Sequence, residues 1–173
     1  MIKFIVAQQH INLSRLIVVA FSAIGLASCG NKLSVKAAEV RSANKTFADW
    51  CRQKADLSPE TKHTVDVLLE KAGTTDCVEG DRKLSSLATL DLSRNQIGDI
   101  KPLASLTNLK KLYLSFNKIT DIKPLASLTN LTVLFLDKNQ IVGIEPLASL
   151  TNLTVLSLPN NTIGDIKPLA SLT

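Results

Sequence analysis

Residues 109–130 read LKKLYLSFNKITDIKPLASLTN, and the next stretch, 131–152, reads LTVLFLDKNQIVGIEPLASLTN. The same frame holds over 87–108 (LATLDLSRNQIGDIKPLASLTN) and 153–173 (LTVLSLPNNTIGDIKPLASLT), so the chain repeats every 22 residues. In the second unit the recurring apolar positions are Leu109, Leu112, Leu114, Ile119, Ile122, Leu125 and Leu128. Burying them returns less free energy than ordering the unit's backbone takes, so one unit cannot fold alone. Stacked units share faces and hydrogen bonds, and an array can fold. The Leu-x-Leu alternation turns Leu112 and Leu114 inward and their neighbours outward, giving one short strand per unit. Asn95, Asn117, Asn139 and Asn161 recur where the chain leaves that strand. An amide both donates and accepts, so a stacked ladder of them satisfies turn groups that would otherwise be buried unpaired. Their role is structural. The Pro-Leu-Ala-Ser-Leu stretch, entered at Pro102, Pro124, Pro146 and Pro168, then returns on the other side as a short helical turn.

A period of roughly 20–29 residues opening on LxxLxLxxNxI is the signature of a leucine-rich repeat. The expected fold class is a leucine-rich-repeat solenoid of the α/β type. Short parallel β-strands line its concave face, short helical turns its convex face, and a small α-helical cap closes its N-terminal end. With its Ile-x-x-Ile, Asp-Ile-Lys-Pro-Leu and Leu-Thr-Asn elements, the segment 84–173 resembles the internalin-like class of bacterial leucine-rich repeats. That resemblance implies a concave sheet that binds proteins, in some members host receptors. The sequence departs from the class in a disulfide-bearing cap and in a short array of about four units. It also stops at Thr173, one residue before a unit would end, without the altered outer face of a terminal repeat. On that ground it also reads as a truncated piece of a longer repeat protein, with Leu169 and Leu172 left uncovered.

Strand alternation defines three outward columns: Thr89, Lys111, Val133 and Val155; Asp91, Tyr113, Phe135 and Ser157; then Ser93, Ser115, Asp137 and Pro159. Arg94, Phe116, Lys138 and Asn160 follow at the strand exit. The convex segments are nearly identical between units, whereas these columns vary, so ligand specificity is expected here. Tyr113, Val133 and Phe135 form an expected apolar centre with Phe116 beside it. Lys111, Asp137 and Lys138 form its charged rim, the anatomy of an interaction site. Scattered surface aromatics are also ordinary on any protein. Three of the chain's six Phe and Tyr residues fall in this patch, which favours binding.

The N-terminal half reads differently. Leu16–Leu26 (LIVVAFSAIGL) is an apolar run of signal-peptide length, too short to span a membrane. It ends in Leu26-Ala27-Ser28-Cys29, which resembles the lipobox of bacterial lipoproteins. The resemblance implies removal of residues 1–28 and lipid on Cys29, with ordinary cleavage nearby as the alternative. Two or more acyl chains anchor firmly where one binds only marginally. Residues 29–45 then form a polar lipidated tether. The cap occupies 46–83. Thr46-Phe47-Ala48-Asp49 has capping-box spacing, and Ser58-Pro59-Glu60 supplies an N-cap, a first-turn proline and an early carboxylate. Val65, Leu68, Leu69 and Ala72 make one apolar stripe that stops at Gly73. Two helices are expected, over 47–54 and 59–72. With Cys29 lipidated, Cys51 and Cys77 remain as a disulfide pair. Cys51, Cys77 and His63 lack the fourth ligand and CxxC spacing of a metal or thiol site.

Hydrophobic residues at 45% and charged residues at 20% indicate an ordered, packed protein. Without Lys3 and Arg15 of the leader, 18 basic residues face 15 acidic ones, too weak and scattered an excess for a nucleic-acid footprint. No Ser–His–Asp set, phosphate loop or carboxylate–metal cluster is visible, so no enzyme, cofactor or small-molecule substrate is expected. The expected partners are a protein or glycan ligand on the concave sheet and a membrane through the N-terminal lipid. An envelope scaffold and a non-functional truncated fragment are the alternatives.

Overall fold

The computed structural model describes residues 3–5 and 45–172. Cys29, the apolar run before it and the tether up to residue 44 lie outside the described residues. The chain forms the solenoid expected from its repeats. Strands β1 (Lys3–Ile5), β2 (Thr89–Asp91), β3 (Lys111–Tyr113), β4 (Val133–Phe135) and β5 (Val155–Ser157) make one parallel sheet in the order β1-β5-β4-β3-β2. The register is strict: Lys111 lies opposite Val133 and Val133 opposite Val155, so equivalent residues of successive units stand side by side. Lys3–Ile5, part of the sequence assigned to the leader, lies along the open edge of β5. An exposed edge offers unpaired backbone groups to any extended segment, which is the physical reason for that pairing.

On the convex side the Pro-Leu-Ala-Ser stretches form 3₁₀ turns at Lys101–Leu103, Lys123–Ser127, Glu145–Ser149 and Lys167–Ser171. Three of the four are fixed from below: Lys101, Lys123 and Lys167 donate their backbone N–H to Asp99, Asp121 and Asp165 at 2.9–3.0 Å. Turns are also tied to each other. Ser127 Oγ donates to Ala104 O and Ser149 Oγ to Ala126 O, at 2.7 and 3.0 Å. The equivalent Ser105 Oγ, at the junction with the cap, is buried without a partner among the described residues.

The asparagine ladder runs through the interior. Asn117 Oδ1 accepts from Asn95 N and Ile97 N, and its Nδ2 donates to Leu92 O and Leu114 O, all at 2.9–3.1 Å. Asn139 and Asn161 likewise accept from Ile119 N and Ile141 N one unit back, and each donates to carbonyls of two adjacent units. Each amide thus joins two turns. Inside, Leu112, Leu114, Ile119, Leu125 and Leu128, with their counterparts in the neighbouring units, are fully buried.

The cap has three helices rather than the two expected. Helix α1 (Phe47–Arg52) carries the Thr46–Asp49 capping box and is followed by a 3₁₀ turn at Lys54–Asp56. Helix α2 (Pro59–Ala72) starts at Ser58 and stops at Gly73, whose φ of 62° is the left-handed conformation that glycine adopts freely. Helix α3 (Cys77–Ser85) was not anticipated. Its N-cap Asp76 accepts from Val78 N and Glu79 N at 3.0 and 2.7 Å. Leu84, where the sequence places the start of the repeat segment, is a buried residue of this helix. Gly80 lets α3 approach closely, since a Cβ there would meet Phe47 Cε1 at 3.1 Å and Leu69 Cδ2 at 3.2 Å. Cys51 and Cys77 face each other in disulfide geometry, with Cα atoms 5.5 Å apart.

The cap is docked on the first unit by side chains of α2. Thr61 Oγ1 donates to Asp99 Oδ2 at 2.6 Å, Thr64 Oγ1 to Asp99 O at 2.7 Å, and His63 Nε2 to Asn95 O at 2.6 Å. His63 therefore serves the junction.

Candidate functional site: the concave sheet

Alternation fixes which side chains leave the core. In β3 and β4, Leu112 and Leu134 are buried while Lys111, Tyr113, Val133 and Phe135 stand on the opposite face. Register then brings Tyr113 beside Phe135, their ring centroids 5.4 Å apart and tilted by 32°. Such offset aromatic pairs are favourable beyond the area they bury. Both rings and Val133 are half-buried rather than fully exposed, and Lys111 is exposed at one margin.

The next column is a polar network. Asp137 Oδ2 accepts from Ser115 Oγ at 2.7 Å, and its other oxygen accepts from Ser157 Oγ. Sequence reasoning places Asp137 in a charged rim. In the structure it bridges three units instead, and Ser115 and Ser157 are buried beneath it. In the first unit Asp91 accepts from Ser93 N at 2.9 Å, and that N–H holds its carboxyl below the usual carboxylate range.

At the strand exit Arg94, Phe116 and Lys138 form a ridge beside the sheet. The Arg94 guanidinium carbon lies 3.8 Å from the Phe116 ring centroid and Lys138 Nζ lies 4.5 Å from it. Phe116 is 37% exposed. Their backbones, with φ of 62°, 60° and 53°, are left-handed, as is Asn160 at 59°. The structure thus pairs Tyr113 with Phe135 on the sheet and, at the strand exit, places Arg94 and Lys138 against Phe116.

No curated protein sequence matches the chain. The family described as Leucine Rich repeats (2 copies) matches residues 85–127 and 129–171. Internalin C2 of Listeria monocytogenes is similar at 52% identity and a TM-score of 0.52, over 54% of this chain and 41% of its own. The fold is that of a leucine-rich-repeat protein. An internalin from the same species is 41% identical over 52% of this chain and 27% of its own, with a TM-score of 0.46. A leucine-rich-repeat protein of Leptospira interrogans is 34% identical over 52% of this chain and 24% of its own, with a TM-score of 0.49. This chain spans less than half the length of each.

Arg94 is the residue that sequence reasoning left outside the patch and that the structure places against Phe116. Its signal was there: it precedes Asn95 as Phe116 precedes Asn117. A groove of about 690 Å³ between α2 and the turns of the first two units is lined by Glu60, Asp99 and Asp121 with Lys101 and Lys118. It belongs to the docking of cap on array. No described helix is long and apolar enough to cross a membrane.

Proposed function

We propose that the array captures a protein partner on its concave sheet while lipid on Cys29 holds it at the cell envelope. The observation that carries the first part is the Tyr113–Phe135 pair, 5.4 Å apart on the face where units differ. The internalin-like neighbour lends it support by analogy of fold. Aromatic side chains at the centre of a surface, with cations at its margin, are the usual carriers of protein–protein binding energy. A glycan ligand and an envelope scaffold are the competing readings.

The test is a comparison of surface variants against protein and glycan fractions of the cell envelope and of host surfaces. Tyr113→Ala with Phe135→Ala should leave the fold intact and weaken capture of the partner by about 30-fold, or roughly 2 kcal/mol. Capture unchanged in that pair but lost in convex Lys123→Glu would move the site to the other face. Dependence on a glycan alone would exchange the partner class.

The second part rests on Leu26-Ala27-Ser28-Cys29. Intact-mass measurement of membrane-extracted protein should give a chain starting at Cys29 and carrying diacylglyceryl. An unlipidated chain starting beyond residue 30 refutes it. Cleavage before Cys29 would also remove β1 and return β5 to the sheet edge.

A further inference from the structure

We propose that the Arg94–Phe116–Lys138 ridge is a receptor for an acidic segment of the protein partner. The proposal deepens the concave-sheet reading and rests on it, since the same partner must lie across both. The ridge occupies one equivalent position in three consecutive units. Each backbone N–H donates to the following unit: Arg94 to Ser115 O at 3.0 Å, Phe116 to Asp137 O at 2.8 Å, Lys138 to Pro159 O at 2.9 Å. The three side chains are therefore presented at strand spacing, about 4.8 Å per step, on a fixed backbone.

That backbone is left-handed, a conformation that disfavours side chains other than those of glycine and asparagine. The fourth copy, Asn160, is the residue best suited to it. Arg94, Phe116 and Lys138 each adopt it at a cost, which the hydrogen bonds of their backbones to the following unit offset. Phe116 is exposed, and its ring lies against the two cations of the ridge itself. The repeat turn sets this backbone in every unit, and the three side chains differ only in what they present.

What they present is positive charge held in place. Among the described residues neither Arg94 nor Lys138 has a carboxylate partner. The nearest acidic column offers none, because Asp137 is taken by two serine hydroxyls. Stacking on Phe116 orders both cations, which reduces the entropy lost when a carboxylate docks. Arg94 and Lys138 are two units apart, about 10 Å, a distance spanned by roughly three residues of extended peptide. A polyanionic glycan or nucleic acid would call for a longer basic stripe. The Tyr113–Phe135 pair in the same units calls for apolar side chains, which an acidic peptide offers together with carboxylates.

The experiment uses the full chain and a random glutamate–tyrosine copolymer as probe, read by fluorescence anisotropy, with heparin in parallel. Arg94→Asn, Phe116→Asn and Lys138→Asn combined keep the left-handed backbone, so the melting temperature should equal or exceed that of wild type. Copolymer affinity should fall at least 30-fold. Should the combination fail to fold, Arg94→Gln and Lys138→Gln singly are each expected to weaken binding at least fivefold. Equal binding by the Asn or Gln variants overturns the proposal, as does wild type preferring heparin to the copolymer. Tyr113→Ala with Phe135→Ala separates the two readings. Binding lost with the Asn set but kept in this pair supports the ridge and removes the concave centre. The opposite pattern keeps the centre and removes the ridge.

Discussion

The segment IGDIKPLASL occurs twice, at residues 97–106 and again at 163–172, at opposite ends of the array. Its local structure starts the same way in both places, though the turn ends at Leu103 in the first copy and at Ser171 in the second. A 3₁₀ turn follows the isoleucine, and the lysine N–H donates to the aspartate at 3.0 Å in one copy and 2.9 Å in the other. Its burial is not. Ile97 and Ile100 are fully buried, whereas Ile163 is half-buried and Ile166 is 61% exposed. Asp99 accepts from Thr61 of the cap, while Asp165 stands in solvent. Ten identical residues thus show that sequence sets the turn and neighbours set the stability, as nearest-neighbour coupling in a solenoid requires. The far end is not uniformly open. Leu172, expected to be uncovered, is buried in the core cluster, and Leu169 is half-buried against it, with Leu172 N donating to Leu169 O at 3.0 Å. The exposure falls on Ile166 instead.

The sharpest way to break this comparison is to truncate equivalent side chains. Ile100→Ala should destabilise by about 4 kcal/mol, the sum of lost transfer energy and a cavity that the cap holds open. Ile166→Ala should change stability by less than about 0.5 kcal/mol. Chemical denaturation of the two variants reads the difference directly. Equal losses would mean that the far end is covered in solution.

A second test removes the cap's staple. Cys51→Ser with Cys77→Ser releases a loop of 26 residues and should cost roughly 3 kcal/mol. With α1 freed from α3, the first unit loses its cover, so hydrogen-exchange protection at 97–106 should fall towards that at 163–172. Free thiols on both residues of the wild-type protein under non-reducing labelling would contradict the bridge itself. Unchanged protection at 97–106 would mean that docking through Thr61, His63 and Thr64 suffices without it.

The same contrast explains what the sequence disclosed. Strands, turns and the ladder were legible because Leu112, Leu114, Asn117 and Ile119 recur with their counterparts at a fixed period, and each copy votes for the same structure. Helix α3 had no such support. Its signals, Asp76 as N-cap and Glu79 three residues on, run straight into Gly80, which reads as a turn until Phe47 and Leu69 are seen against it. The outward columns were legible from alternation alone. The capture of Asp137 by Ser115 and Ser157 was not, because it joins residues 20 and 22 apart that meet only through register. The left-handed backbone of the ridge was equally hidden, since Arg94, Phe116 and Lys138 are not residues that announce it.

The smallest expected effect separates the two ends by acid. In the cap, Asp49 accepts from Thr46 N at 3.1 Å and from Thr46 Oγ1 at 2.9 Å, and these bonds, backbone first, hold its carboxyl below the usual carboxylate range. The Arg82 guanidinium does the same for Glu79 in α3. A carboxylate with a lowered folded-state pKa contributes stability that is present above its unfolded value and lost as pH falls through the folded one. Both groups are solvent-exposed, so the contribution is small and confined to acid. Melting temperatures of wild type and Asp49→Asn should therefore differ at neutral pH and converge below the ordinary carboxylate range. Over the same window, exchange protection at 97–106 should fall while that at 163–172, remote from the cap, stays level. Melting curves that remain parallel through the acid transition would remove Asp49 from the cap's stability. Protection falling equally at both ends would show that acid acts on the array and not on its cover.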